Sequence, residues 1–340
     1  MKRFIPMHIL VLCVLFIAAC ENSSFDDPHI ELMDMPITIG SSVSVSRATT
    51  DDVQDDGFGV WAFIKNSEKT NDPYMKNLKV EYIEDEERWD YGEPKYWLID
   101  TEFSFVATYP YDNGTIYTTN SSTGAVELTL SNTPSVTDYL VALSSVNTSD
   151  SIFTPSASVD LQFKHLLSNV SLNVWRDGAK HQNDQMRVRR VTLSNIRKTG
   201  TYSSATDAWA PTNDKLTMEY TNDEVTDDDN IGAATQNNGS LNLGGIPSTP
   251  FSGVMLLPQT IDVSSYIVSL RIDYELKRQN AADWERAELE TILPAITWEK
   301  GKQYVYNVVL SSVTDITVYY IQTKVDPWGT PQVGGTVIIK

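Results

Sequence analysis

The sequence predicts an all-β protein built from β-sandwiches. Short apolar runs rich in Val, Ile, Tyr, Phe and Thr recur along the 340 residues, and turn-forming Gly, Asn, Asp, Ser and Pro separate them. No comparably long segment repeats apolar residues with the 3.6-residue period of a helix, so helices should be few and short. Strands are predicted at residues 37–45, 58–64, 103–109, 138–143, 159–163, 170–175, 188–193, 254–257, 268–276, 304–310 and 316–325.

The length predicts two domains, because one domain typically takes about 150 residues. A polar stretch at residues 144–158, interrupted by Pro155, separates two strand-rich parts and indicates a boundary near residue 156. The first domain is therefore predicted at residues 48–156 and the second at residues 157–328. A segment rich in Asn, Asp, Gly and Ser, residues 220–245, is predicted to form a long surface loop.

The charge of the chain excludes one class of partner. The sequence contains 26 Lys and Arg against 45 Asp and Glu, a formal net charge of −19. Proteins bind nucleic acid largely through Lys and Arg that displace counterions from phosphates, so this chain is not expected to bind DNA or RNA. The hydrophobic fraction of 41% is too high for a disordered chain.

The first 20 residues are predicted to be a secretory signal peptide. Lys2 and Arg3 precede an apolar run, and the run ends in IAAC at residues 17–20. This ending resembles the bacterial lipobox, in which the Cys, here Cys20, is acylated and becomes the first residue of the mature protein. Cys13 would leave with the signal, so no thiol would remain for disulfides, zinc binding or nucleophilic catalysis. Residues 21–34 are predicted to be a solvated tether.

Candidate catalytic groups are few. His165 and His181 lie outside any nucleophile motif and are predicted to be structural, hydrogen-bonded residues. The acidic clusters at residues 51–56 and 223–229 do not follow the calcium-loop pattern and are predicted to be solvated loop faces. Carboxylate pairs abound in any acidic chain, so only their separation in space would indicate glycoside hydrolysis. The sequence predicts no enzyme, no cofactor and no metal site.

An aromatic-rich segment, RWDYGEPKYW at residues 88–97, supports two interpretations. Exposed rings at Trp89 and Trp97 could stack on sugar rings and bind glycans. Alternatively, the same rings fill the sandwich core, as large aromatic side chains usually do.

The segment after the tether is predicted to be a removable strand. Ile37, Ile39 and Val43 alternate with polar residues and can bury one face. The strand ends in a polar segment in which an Arg-specific protease could cut between Arg47 and Ala48. Its removal would leave unpaired backbone groups and apolar pockets, which another extended segment can fill by strand addition.

The C-terminus offers a segment of that kind. Residues 329–340 follow what is predicted to be the closing strand of the second domain, and they contain the β-formers Val333, Val337, Ile338 and Ile339. This segment is either a last strand of its own domain or a strand donated to a neighbour.

A series of motifs occurs in order along nearly the whole chain. After the lipobox they are SRAT at residues 46–49, FGVWAF at 58–63, KYW at 95–97, FVATYPY at 105–111, DYLVA at 138–142, FKHLLS at 163–168, LPQ at 257–259 and WEKGKQYVY at 298–306. Together they resemble the fimbrillin family of Bacteroidota, the subunits of type V pili.

The resemblance implies a fold and a life cycle. The fold is two tandem transthyretin-like antiparallel β-sandwich domains. Family members are exported as outer-membrane lipoproteins and cleaved after an Arg by a trypsin-like protease, which removes the first strand. They then polymerise by strand exchange with other pilin subunits and serve cell adhesion on fimbriae at the cell surface.

Carried over to this chain, Cys20 is the lipidation site, Arg47 the cleavage site, Ala48 the new terminus and residues 329–340 the donor candidate. The alternatives are a tip or anchor pilin, or a monomeric surface lipoprotein that binds glycans. The receptor is not named by the sequence.

Overall fold

The computed structural model describes residues 32–43, 50–65, 72–237, 240–262, 264–311 and 316–324. Within these residues the chain is all-β, as predicted, with one short α-helix, α1 (Thr50–Asp56), and two 3₁₀ helices at Glu84–Glu86 and Asp227–Asp229. The strands up to residue 165 are β1 (Leu32–Pro36), β2 (Ile39–Val43), β3 (Phe58–Ile64), β4 (Met75–Ile83), β5 (Arg88–Asp90), β6 (Tyr96–Leu98), β7 (Glu102–Tyr109), β8 (Tyr117–Asn120), β9 (Ala125–Leu130), β10 (Leu140–Asn147) and β11 (Val159–His165).

The remaining strands are β12 (Ser168–Asp177), β13 (Gln185–Arg197), β14 (Gly200–Ser203), β15 (Ala208–Pro211), β16 (Lys215–Thr221), β17 (Ala233–Asn237), β18 (Ser240–Gly244), β19 (Ser248–Leu256), β20 (Gln259–Ile261), β21 (Ser269–Lys277), β22 (Glu285–Ile292), β23 (Ile296–Trp298), β24 (Lys302–Leu310) and β25 (Ile316–Lys324).

A seven-stranded sheet organises the first part of the chain. Its order is β2-β11-β10-β7-β3-β4-β5, which places β2 at one edge. The interior strand β3 is buried along its whole length, because apolar side chains cover both faces of the sheet. On one face the sheet packs against α1 and the separate β1–β6 pair, in a core that contains Ile37, Val53 and Trp97.

Two facing sheets form the second part. One has the order β18-β17-β12-β24-β25 with β19 also paired to β12, and the other has the order β16-β13-β21-β22. Alternating side chains of both sheets, such as Leu172 and Tyr306 from one and Val191 and Ile272 from the other, share one core. This is the arrangement of a β-sandwich.

The direction of some strands and the structure of two polar segments, residues 220–245 and 32–34, differ from what the sequence predicts. Most strand pairs are antiparallel, as expected, but three are parallel: β2 with β11, β12 with β17 and β12 with β24. The segment at residues 220–245, predicted to be a loop, contains the β17–β18 hairpin. Residues 32–34, predicted to belong to the tether, lie in β1.

The pairing of strand β11 bears on where a domain boundary could lie. This strand follows the predicted boundary near residue 156, yet it pairs with β10 and β2 in the first sheet. If the chain divides into two domains, we propose that the boundary lies between His165 and Ser168. The division itself and its transthyretin-like character stay predictions.

Candidate functional site

The candidate site is the sheet edge and core surface against which the N-terminal segment packs. We define the N-terminal segment as residues 32–43. Strand β2 lies parallel to β11, with Ile39 opposite Val159 and Val43 opposite Phe163. The amide of Val159 donates to the carbonyl of Thr38 at 2.8 Å. Because β2 is an edge strand, it can leave without breaking the order of the other six strands.

Strand β11 depends strongly on this pairing. Among the described residues, its ladder with β10 contains only two residue pairs, at His165 and Lys164 near the end of β11. The five residues Val159–Phe163 are instead paired with β2. Removal of β2 would therefore leave backbone donors and acceptors of β11 without a strand partner, and such an edge is a template for another strand.

Two isoleucines anchor the segment in the core. Ile37 is 1% exposed and Ile39 is 5% exposed, and both belong to the core cluster of the seven-stranded sheet. The alternating pattern predicted this burial. Each side chain contributes about 1.5–3 kcal/mol by leaving water, so a replacement strand needs apolar residues at the same spacing.

Hydrogen bonds from a neighbouring loop fix the middle of the segment, at Ile37. The amide of Ile37 donates to the carbonyl of Lys95 at 2.7 Å, and the hydroxyl of Tyr91 donates to the carbonyl of Ile37 at 2.6 Å. Burial raises the pKa of Tyr91, while its hydrogen bond with the backbone of Lys95 acts in the opposite direction. Tyr91 therefore stays protonated and able to donate over the whole neutral range.

Cys20, Arg47 and Ala48 lie outside the described residues, as do the donor candidates Val333, Val337, Ile338 and Ile339. Strand β25, which pairs with β24 at the edge of its sheet, is the last described element before the predicted donor segment. Lipidation, cleavage and strand donation thus remain predictions.

The two tryptophans of the aromatic-rich segment have different environments. Trp97 is 1% exposed, donates from Nε1 to the carbonyl of Pro155 at 3.1 Å and meets Phe153 edge to face at 5.1 Å between ring centroids. The interpretation of Trp97 as a sugar-stacking residue is therefore wrong, because no face of its ring reaches solvent. Trp89 is half-buried against Phe58, and a glycan contact there stays a prediction.

The two histidines have structural partners. Nδ1 of His165 lies 2.7 Å from Asp138 Oδ2, and Nδ1 of His181 lies 2.7 Å from Asp184 Oδ2. Burial alone would raise the pKa of Asp184, but the hydrogen bond from His181 and the backbone hydrogen bond from Gln279 lower it. These pairs tie loops together, which agrees with the structural roles predicted for both histidines.

Metal-ligand clusters and membrane-spanning helices are both absent from the described residues. Nowhere among them do three His, Cys, Asp or Glu side chains come together in a way that could bind a metal ion. Their helices are too short or too polar to cross a bilayer.

Comparison with known proteins gives a family and a set of similar structures. The sequence model of a family described as fimbrillin-like matches residues 46–328. No curated protein matches the chain.

Similar solved structures come from species of Bacteroides and Parabacteroides. A candidate cell adhesion protein from Bacteroides ovatus has 16% identity, covers 88% of this chain and 99% of its own, and has a TM-score of 0.45. One from Bacteroides uniformis has 16% identity, coverages of 85% and 98%, and a TM-score of 0.41. One from Parabacteroides distasonis has 11% identity, coverages of 86% and 97%, and a TM-score of 0.45.

Proposed function

The chain belongs to the fimbrillin-like family, and we propose that it is a structural subunit of a cell-surface pilus that serves adhesion, without catalytic activity. In this proposal it is exported as an outer-membrane lipoprotein through Cys20 and matured by cleavage after Arg47. It then assembles with other subunits by strand exchange, with residues 329–340 as the donated segment.

One observation carries the proposal. The segment upstream of the predicted cleavage site contains two buried isoleucines, Ile37 and Ile39, and an edge strand, β2, whose removal would free the edge of β11. Main-chain pairing and apolar pockets would thus become available together. These are the two sources of affinity in strand addition.

Assembly is tested by proteolysis of the full chain. Treatment with an Arg-specific protease, followed by electrophoresis of unboiled samples, should produce a ladder of oligomers. The ladder should be absent for Arg47→Ala and for a chain that lacks residues 329–340. Arg88→Ala, which changes an exposed arginine within the first sheet, is the matched control and should still give the ladder.

Two results would contradict the assembly mechanism. Complete cleavage at Arg47 that yields only monomer would exclude self-polymerisation and favour a tip or anchor role. A ladder from the chain without residues 329–340 would exclude that segment as the donor. The lipid anchor is tested separately: Cys20→Ala should abolish incorporation of labelled palmitate and association with the outer membrane.

A further inference from the structure

A polar cleft lies on the second sandwich, away from the N-terminal segment. A cavity of about 380 Å³ opens where β13, β21 and β22 meet the segment that follows β16. Its charged and amide side chains are Arg189, Arg190, Arg286, Asn222, Asp223, Asp273 and Glu288. The size falls within the range of small-molecule sites, which is about 300–1,000 Å³.

The lining excludes several ligand classes. Three arginines stand beside three carboxylates, so the cavity has no excess of either sign for a strongly anionic or cationic ligand. More polar than apolar surface faces it, so an apolar ligand would leave polar groups without partners. A neutral ligand with many closely spaced hydroxyl groups fits alternating donors and acceptors, because each hydroxyl can both donate and accept.

Arg190 and Asp273 offer such a pair of groups. Arg190 Nη1 lies 3.9 Å from Asp273 Oδ2, and its Nε lies 3.8 Å from Glu219 Oε1. Both separations exceed hydrogen-bond distance. Asp273 Oδ1 is engaged by Arg271 Nε at 3.2 Å, whereas Oδ2 faces Arg190. A ligand hydroxyl at this point can accept from Arg190 and donate to Asp273 at once.

A buried carboxylate holds two other arginines of the cavity in place. Arg189 Nη1 and Arg286 Nε lie 3.4 and 3.3 Å from Glu275 Oε1. Glu275 is only 4% exposed, so its position is set by the sheet rather than by solvent. The guanidinium group of Arg189, whose side chain is 31% exposed, is therefore partly oriented before a ligand arrives, which reduces the entropy lost on binding, whereas the side chain of Arg286 is 78% exposed.

A second cavity lies near the first, on the side of the sheet where Val188 and Tyr220 face the core. It has about 560 Å³ and shares Asn222 with the first. Its lining includes Asp228, Thr249 and Tyr220, and the side chain of Tyr220 is half-buried. A ligand of several sugar units that occupies the first cavity would reach the second only past Asn222, the residue that lines both.

We propose that this cleft binds a neutral oligosaccharide, with Arg190 and Asp273 as direct contacts and Glu275 as a positioning residue. The inference deepens the adhesive part of the proposed function, on which it rests, by naming a class of receptor. In this proposal the cleft, rather than the buried Trp97, is the glycan-binding site.

The test uses the full chain and defined sugars. Cellohexaose, maltohexaose, xylohexaose and mannohexaose serve as neutral probes, and a heparin hexasaccharide and sialyllactose serve as acidic probes, all measured by titration calorimetry. At least one neutral probe should bind with a Kd below about 1 mM. Arg190→Ala and Asp273→Asn should each weaken that binding about ten-fold or more, because a charge-assisted hydrogen bond is lost.

Arg88→Ala is the matched control. Arg88 is also an exposed arginine between two carboxylates, but it bonds Glu86 directly at 2.5 Å and lies outside both cavities. Its substitution should leave sugar binding unchanged. Circular dichroism of each variant should match the unsubstituted chain, because Arg190 and Arg88 are both about half exposed.

Three results would overturn the inference. They are no binding of any neutral probe, equal binding by the Arg190→Ala and Asp273→Asn variants, or binding of acidic probes alone that about 1 M salt abolishes. The assay does not require assembly and is repeated on Arg47→Ala. Sugar binding by chains that form no polymer would therefore separate failure of the pilus proposal from failure of this one.

Discussion

Glu275 is a buried carboxylate surrounded by three arginines. Besides Arg189 and Arg286, Arg187 Nε contacts its Oε2 at 2.7 Å. Burial alone would raise the pKa of Glu275, but the hydrogen bond and charge of Arg187 and the charge of Arg189 outweigh it and lower the pKa below 4.5. The ionised form therefore stabilises the fold, and its protonation should destabilise it.

We expect Glu275→Gln to lower the free energy of unfolding by about 3 kcal/mol at neutral pH, because the guanidinium group of Arg187, whose side chain is only 13% exposed, loses its counter-charge. The wild-type contribution is fully present above the ordinary pKa of 4.5 and is lost as the pH falls through the lower folded value. Urea unfolding from neutral to acidic pH should therefore show the two chains converging.

The control for this prediction is an exposed ion pair. Glu81 contacts Lys79 at 2.5 Å, and its side chain is 60% exposed. Glu81→Gln should change the unfolding free energy by less than about 1 kcal/mol. Parallel pH profiles for the Glu275→Gln variant and the wild type would contradict the role of Glu275.

Trp97 and Trp89 should differ sharply on truncation. Trp97→Ala removes a ring that is 1% exposed, with edge contacts to Phe103 and Phe153, and should cost about 3–5 kcal/mol. Trp89→Ala, at a half-buried position, should cost less. Thermal unfolding followed by near-ultraviolet circular dichroism measures both. Wild-type stability of Trp97→Ala would contradict its place in the core.

At the scale of single residues, the sequence identified residues 88–97 as rich in aromatic side chains, but it did not predict which of those side chains are buried. The segment at residues 88–97 has the same aromatic character around Trp89 and Trp97. The two tryptophans differ because Phe153 and Pro155, which lie more than fifty residues further along the chain, cover Trp97. Local pattern contains no information about that contact.

At the scale of elements, alternation predicted the buried face of the N-terminal segment but not its partner. The strand paired with Ile39 begins at Val159, and the pairing is parallel. The backbone hydrogen bonds that join two strands do not depend on side-chain type. The sequence therefore could not predict the relative direction or the register of this strand pair. The β17–β18 hairpin was missed for a related reason: its polar composition suits an edge of the sheet, whereas strand prediction relies on apolar runs.

Tyr91→Phe should loosen the N-terminal segment. The substitution removes the hydroxyl that donates to Ile37 and costs about 1 kcal/mol, or about a five-fold rise in local opening. Hydrogen exchange of the uncleaved chain should show faster exchange at amides of Val159–His165. Tyr82→Phe, on the neighbouring strand β4, is the control. Equal exchange in both variants would show that Tyr91 does not hold the segment.

At the scale of the whole molecule, a third core cluster joins the two parts of the chain. The seven-stranded sheet contributes Trp61 and Val106, and later strands and loops contribute Leu166, Tyr202 and Leu257. Strand β9 also pairs with β14, so one sheet contains residues from both sides of any boundary near residue 165. Such a shared core couples the unfolding of the two parts.

We therefore expect one cooperative thermal transition, with calorimetric and van 't Hoff enthalpies in agreement. Leu166→Ala combined with Leu257→Ala removes two fully buried side chains from the shared cluster and should split this transition in two. Leu276→Ala, equally buried but within the second sandwich, should lower the Tm without splitting it. Two transitions in the unsubstituted chain would contradict the coupling, because each part would then unfold on its own core.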